Sequence, residues 1–315
     1  MTLVALALGV FLSSTAQDQP RTPPVFGVEV ENVYIDAFVS SHGVPVTGLK
    51  ATDFKLRDNG TPQVIELAAS DTHPLLAVLA FDVSGSVDRA KLTALRAASH
   101  ALLESLRPED KASLFGFGDD VSWAVQPTTD KAQVRQAIEK LVSGGGTTIM
   151  DALYAALTLP KSPGRSLVVL FTDGFDNLSW LDWRQIRSVA ERSNAVIHVV
   201  SLQPPTGPKP AVSSSDSLRW GIYSAANTST LEFEPAWALR QIAEATGGRY
   251  WEAESLDRLK AAFTEIAEAM GKRYILRYAP EGVTQPGWHK VELRLKGRKA
   301  EVRTRAGYWV TAKHP

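Results

Sequence analysis

The sequence predicts an α/β protein: a doubly wound, mostly parallel sheet, with a small all-β domain built from the N- and C-terminal flanks. Three observations predict it. Leu75–Phe81 is an unbroken apolar run of strand length, the pattern of a strand covered on both faces. Apolar runs and helical segments then alternate with short connections as far as Met270. On either side of that block, residues 26–70 and 273–311 carry short alternating runs broken by turn residues.

The chain has 315 residues, 44% hydrophobic and 22% charged, as in an ordinary globular protein. Lys+Arg and Asp+Glu both number 34, so the formal net charge is zero, which argues against nucleic acid as the partner. The absence of cysteine excludes disulfides, thiolate zinc sites and a cysteine nucleophile.

Residues 1–16, MTLVALALGVFLSSTA, read as a signal-like segment. Leu3–Leu12 is too short to cross a bilayer, and Ser14-Thr15-Ala16 offers a small-residue cleavage site, although no Lys or Arg precedes the apolar run. The expectation is a bacterial protein exported to the periplasm or beyond, with no integral membrane span in the mature chain. Residues 17–25 form a linker. Strands follow over Phe26–Val39 and Gln63–Leu67, and Asn59-Gly60 marks a hairpin. After Leu75–Phe81 comes a helix over Val87–Leu106, with Leu92, Leu95, Leu102, Leu103 and Leu106 on one face and Pro108 as its stop. Strands Lys111–Phe117 and Val121–Val125 form a hairpin. A helix over Asp130–Leu141, a glycine run at 144–146 and a helix over Met150–Leu159 come next, then strand Arg165–Phe171, helix Leu181–Arg192 and strand Ala195–Leu202. The Pro- and Ser-rich stretch 203–235 is long for a connection, and is either a border of the ligand face or a free insertion. Helix Trp237–Ala245, strand Arg249–Ala253 and helix Ser255–Met270 close the block. Strands Arg273–Ala279, His289–Leu295, Ala300–Arg305 and Gly307–Val310 end the chain. Each flank alone is too small to be stable, so the two are expected to pair as one β sandwich around an inserted domain at 75–271.

Asp82, Ser84 and Ser86 alternate at the carboxyl end of the first buried strand, the edge where open α/β sheets bind ligands. Right-handed crossovers bring Thr147, after the glycine run, and Asp173, after the next buried strand, to the same edge. Two carboxylates and three hydroxyls offer only oxygen, which suits a hard cation: Mg²⁺, with Mn²⁺ and Ca²⁺ as chemical neighbours. The plainer alternative is a polar turn in which Asp82 caps the following helix. The glycine run lacks the Gly-Lys-Ser/Thr ending of a phosphate loop. No GxSxG occurs and the six histidines have no metal-ligand spacing.

DVSGS (82–86), GGT (145–147) followed by MDAL (150–153), and FTDG (171–174), in that order on alternating elements, resemble the von Willebrand factor type A domain, a Rossmann-like fold, over residues 75–271. The flanking VPVTGLKATDFKLRDNGTPQ (44–63), WHKVELRL and RAGYWV are similar to a bacterial subset of these proteins first noted in Acidobacteria. The resemblance implies a metal-ion-dependent adhesion site, with Asp82, Ser84 and Ser86 as first-loop ligands, Thr147 from the second loop and Asp173 from the third. It implies a divalent cation, Mg²⁺ first, whose coordination is completed by an acidic side chain of another protein. The expected role is an exported adhesion-type binding module and not an enzyme. One alternative is a scaffold that docks through its β domain while the metal is structural. Another is a phosphotransferase with Asp82 as nucleophile, but that chemistry needs a second acid where Ser84 stands. Trp180, Trp183, Trp220 and Tyr223 are candidate partner contacts; Trp180 and Trp183 suit an aromatic rim or helix packing equally well.

Overall fold

A computed structural model describes residues 32–68, 74–158, 165–173, 176–202, 235–283, 285–297 and 299–311. The signal-like segment, the linker and the stretch 203–234, with Trp220 and Tyr223, lie outside these residues. The chain enters through β1 (Val33–Ser41), β2 (Val44–Pro45), β3 (Phe54–Asp58), β4 (Thr61–Gln63) and β5 (Glu66–Leu67). An alternating block follows: β6 (Leu75–Asp82), α1 (Arg89–Ser105), β7 (Lys111–Phe117), β8 (Val121–Thr128), α2 (Lys131–Glu139), α3 (Ile149–Thr158), β9 (Arg165–Thr172), α4 (Trp183–Arg192), β10 (Ala195–Leu202), α5 (Pro235–Ala245), β11 (Tyr250–Ala253) and α6 (Leu256–Gly271). The chain returns to β structure in β12 (Tyr274–Tyr278), β13 (Gly287–Leu295), β14 (Glu301–Arg303) and β15 (Gly307–Val310).

The central sheet has the order β11-β10-β9-β6-β7-β8. All its pairings are parallel except β7 with β8. All eight residues of β6 are buried, because side chains alternate between two covered faces. Leu75, Ala77, Leu79 and Phe81 face a core shared with Leu95 and Leu102 of α1 and Leu259, Phe263 and Ile266 of α6. Phe81 meets Phe263 edge-on, with ring centroids 6.3 Å apart. Leu76, Val78 and Ala80 face the opposite core, with Ile149 and Leu153 of α3, Ile186 of α4 and Ile242 of α5.

Several predicted boundaries move for local reasons. The first helix begins at Arg89, because the Asp88 carboxylate accepts from the Lys91 backbone N–H and caps it. Asp82 does not cap α1. Strand β8 runs past Pro127 to Thr128, which an edge strand tolerates because one side of its backbone has no strand partner among the described residues. The stretch Gln63–Leu67 is divided between β4 and β5 with Val64-Ile65 between them, and the described part of the first strand begins at Val33.

The flanks build two further sheets. One has the order β14-β1-β12-β5, with β2 also on β1; the other is β15-β13-β3-β4. Both contain strands from each end of the chain, and their apolar faces share Ile35, Val39, Phe54, Leu56, Leu276, Val291 and Val310. The β3–β4 hairpin turns on Asn59 (φ 45) and Gly60 (φ 83), the left-handed pair that a tight two-residue turn requires. Asp58 is a polar pin between the sheets. Its carboxylate accepts from the hydroxyls of Tyr278 (2.9 Å) and Tyr308 (2.6 Å) and lies 3.0 Å from His289 Nδ1. Burial, with the Asp58 contact added, raises both tyrosine hydroxyls well above the usual phenol range.

The β sheets meet the central sheet at its amino-terminal edge. Asp36 of β1 accepts from Arg165, the first residue of β9, at 2.8 Å and from Arg273. Burial would raise the Asp36 carboxyl, but the two guanidiniums together hold it below its ordinary value. Arg305 donates to the carbonyls of Glu191 and Ser193 at the end of α4, where cations also suit the helix dipole. A cleft of ≈ 210 Å³ at this junction is lined by Asp36, Arg165, Thr246 and Arg305. Of the named lining groups, Asp36 and Arg165 pair with each other, Thr246 bonds to Ile197 N–H and Ala243 O, and Arg305 bonds to Asn194 and to the carbonyls of Glu191 and Ser193.

Candidate functional site

The site is built at the opposite edge, where β6, β7 and β9 end. Three loops are stitched there by backbone hydrogen bonds. Val83 N–H donates to Phe117 O (2.8 Å), Gly144 N–H to Val83 O (2.8 Å) and Gly85 N–H to Gly145 O (2.9 Å). The Asn177 and Leu178 N–H groups both donate to Thr147 O at 3.1 Å, and Thr147 N–H donates to the Asn177 side chain at 2.8 Å. The glycines make this approach possible. Gly145 has φ +80°, and a Cβ there would lie 2.5 Å from Asp119 Oδ2. Asp119 Oδ1 accepts from Gly146 N–H at 2.6 Å, so the glycine run is held by a carboxylate. The amino end of α3 is likewise filled: Met150 N–H donates to Asp176 (2.8 Å) and Ser179 (3.0 Å). These contacts occupy four of the backbone donors that a phosphate loop would offer, those of Gly144, Gly146, Thr147 and Met150.

Asp82, Ser84, Thr147 and Asp173 are all buried. Asp82 Oδ1 accepts from Ser84 N–H (2.9 Å), and Oδ2 from the Thr172 hydroxyl (2.6 Å). Burial raises the Asp82 carboxyl above its ordinary value, against the lowering effect of its bonds to Ser84 and Thr172. Ser84 Oγ and Ser86 Oγ are 3.0 Å apart, and Ser86 Oγ donates to Asp173 Oδ1 at 2.7 Å. A contiguous run of three oxygens, Ser84 Oγ, Ser86 Oγ and Asp173 Oδ1, thus crosses from the first loop to the third. Asp173 Oδ2 accepts from Lys91 Nζ of α1 at 2.5 Å. Among the described residues no group of three or more His, Cys, Asp or Glu could hold a metal. A cation here would depend on hydroxyl oxygens beside the two carboxylates. That all-oxygen set fits a hard divalent ion.

The fold brings together the loops carrying all five residues that the sequence singled out. Sequence reasoning missed Thr172, which satisfies Asp82, and Lys91, which neutralises Asp173. Thr172 was legible as the hydroxyl directly before Asp173; Lys91 had no signal beyond a charge early in a helix. Trp180 is 90% exposed on the third loop, anchored by its backbone N–H donating to Asp151 Oδ2 at 3.0 Å. Trp183 instead packs: its ring meets Trp237 of α5 edge-on at 5.1 Å, and it lies against the core beside α4. Of the two, Trp180 is the one exposed to solvent. No helix among the described residues is long and apolar enough to cross a membrane.

Residues 77–175 match the family described as von Willebrand factor type A domain. A 127-residue stretch is 32% identical to the magnesium-chelatase 60 kDa subunit of Cereibacter sphaeroides, covering 38% of this chain and 23% of that protein. A 253-residue stretch is 24% identical to the UPF0353 protein of Mycolicibacterium gilvum, covering 68% of this chain and 64% of that one. Among solved structures, a von Willebrand factor type A protein from Catenulispora acidiphila aligns with a TM-score of 0.50 at 12% identity, over 91% of this chain and 77% of that chain. That likeness extends to the flanking sheets and concerns the fold alone.

Proposed function

We propose that this chain, a von Willebrand factor type A domain protein, is a metal-dependent binding module that takes an acidic group of another protein at the three-loop site. The observation that carries this reading is the continuous hydroxyl–carboxylate run Ser84–Ser86–Asp173 beside the buried Asp82. Neutral hydroxyls and few carboxylates leave a divalent cation with residual positive charge. The residues that would hold it are Asp82, Ser84, Ser86, Thr147 and Asp173, with Mg²⁺ preferred and Mn²⁺ or Ca²⁺ as alternatives. The metal supplies electrostatic attraction for a carboxylate, and Trp180 adds an exposed aromatic beside it. The same geometry disfavours catalysis by Asp82: its side chain is buried and both oxygens already accept hydrogen bonds.

The rival reading, docking through the β domain with a structural metal, would place the interface at the far end of the sheet. β9 separates Arg165 from Asp173, roughly 25 Å of extended chain. We further propose two units, residues 26–70 and 273–311 as one β domain and 75–271 as the inserted binding domain, with export directed by the signal-like residues 1–16.

Calorimetric titration of Mg²⁺ and Mn²⁺ into the wild type and a Ser84→Ala/Ser86→Ala variant tests the site. The wild type is expected to bind and the folded variant to lose binding. Equal affinity in both would contradict the assignment.

A further inference from the structure

Lys91 lies in the first turn of α1, five residues after Ser86. Its ammonium donates to Asp173 Oδ2 at 2.5 Å and to Ser86 O at 2.9 Å. The Lys91 side chain is 20% exposed, while that of Asp173 is fully buried. Asp173 is therefore neutralised by the chain itself, on the carboxylate oxygen next to the one that meets Ser86. Ser86 is gripped twice, by Lys91 at its carbonyl and by Asp173 at its hydroxyl.

The placement of this lysine breaks a local rule. The first turn of α1 holds no acidic residue, and a cation there opposes the positive end of the helix dipole. Such conflicts between local preference and observed placement concentrate at functional sites. The Asp88 carboxylate at the cap offsets part of that conflict, and the Asp173 carboxylate, a residue of the proposed metal site, pairs with the ammonium itself.

The geometry points to Lys91 as a tethered cation that competes with the divalent ion for Asp173. This inference rests on the metal-site reading above. A divalent ion held by Asp173 would share that carboxylate with an ammonium, and two positive charges on one buried carboxylate repel, although Ser86 and part of Lys91 reach solvent. Either the ammonium leaves, at the cost of its charge-assisted bond, or it stays and weakens the metal. The chain therefore has two arrangements: a self-neutralised one, with Lys91 closing the first loop against the third, and a metal-loaded one with the ammonium released outward. The affinity for metal is set by their difference and is lower than the oxygen set alone would give.

The test is calorimetric titration of Mg²⁺ and Mn²⁺ into the full chain, wild type and Lys91→Met, with thermal unfolding to confirm that both are folded. Lys91→Met should bind the ion about tenfold or more tightly than the wild type, the equivalent of losing one charged hydrogen bond from the competing state. A wild type too weak to measure beside a Lys91→Met that binds would support the proposal most strongly. Equal or weaker binding by Lys91→Met, with the wild type binding, would overturn the competition and leave the metal site standing. Binding by neither would overturn both. Should Lys91→Met fail to fold, reductive methylation of the wild type followed by mass spectrometry decides. Lys91 is expected to react faster in saturating Mg²⁺ than without it, and an unchanged or slower rate would overturn the proposal.

Discussion

Buried polar side chains in this molecule divide into those that hold the site and those that hold the scaffold, and their partners tell them apart. Asp82 and Thr172 close on each other beneath the first loop, while Ser84 and Ser86 turn toward Asp173. His198, in the middle of β10, belongs to the scaffold. Its Nδ1 accepts from the Arg249 backbone N–H at 3.1 Å, and its ring lies against Trp251, centroids 5.0 Å apart. Burial, reinforced by Arg273 and Arg303 and opposed by Asp36, holds its pKa well below the ordinary 6.5. The imidazole is thus neutral in the folded protein and takes up a proton below pH 6.5 only on unfolding. Stability is level in this respect above pH 6.5 and falls as pH drops below it, by up to about 1.4 kcal/mol per pH unit. Denaturant unfolding between pH 7.5 and 5.5 should show that decline, and His198→Gln should flatten it.

At the scale of elements, the strands that build the site are the most legible part of the chain. β7 has the predicted bounds, and β6 and β9 end one residue further on. The reason is physical: a strand buried on both faces must be apolar throughout, and a charged or turn-forming residue ends it. Caps and edges were less legible. Asp88, not the general helical pattern, sets the start of α1, and Pro127 looks like a strand end although an edge strand accommodates it. The site shows the same division. Asp82, Ser84, Ser86, Thr147 and Asp173 stand out through spacing and through the loops that converge. Lys91 does not, because its meaning depends on a contact across 82 residues of sequence. The glycines between elements also carry information. Gly248 enters β11 so close to β10 that a Cβ would lie 1.8 Å from Ile197 O. Gly248→Ala is expected to cost more than about 2 kcal/mol in denaturant unfolding, since backbone rather than a side chain must move. A cost near zero would mean that the two strands can separate freely.

The whole molecule has two ends with different work. At one, Asp36, Arg165, Arg273 and Arg305 fasten the flanking sheets to the central sheet through paired charges and backbone carbonyls. At the other, three loops bring together hydroxyls, two carboxylates and the exposed Trp180, with Lys91 of α1 beside Asp173, clear of that junction. The alternation of strand and helix made the central sheet readable from sequence, while the order of the flanking strands was not, because pairing between residues more than 200 positions apart leaves no local pattern. We propose that a divalent ion sits among the three loops and keeps a position open for a carboxylate. Water-proton relaxation of the protein titrated with Mn²⁺, then with acetate, tests it most directly. One bound Mn²⁺ with exchangeable water is expected, with a fall in relaxation enhancement as acetate displaces that water, and neither effect in Ser84→Ala/Ser86→Ala. Absence of bound Mn²⁺ in both the wild type and Lys91→Met, or bound Mn²⁺ indifferent to acetate, would contradict it.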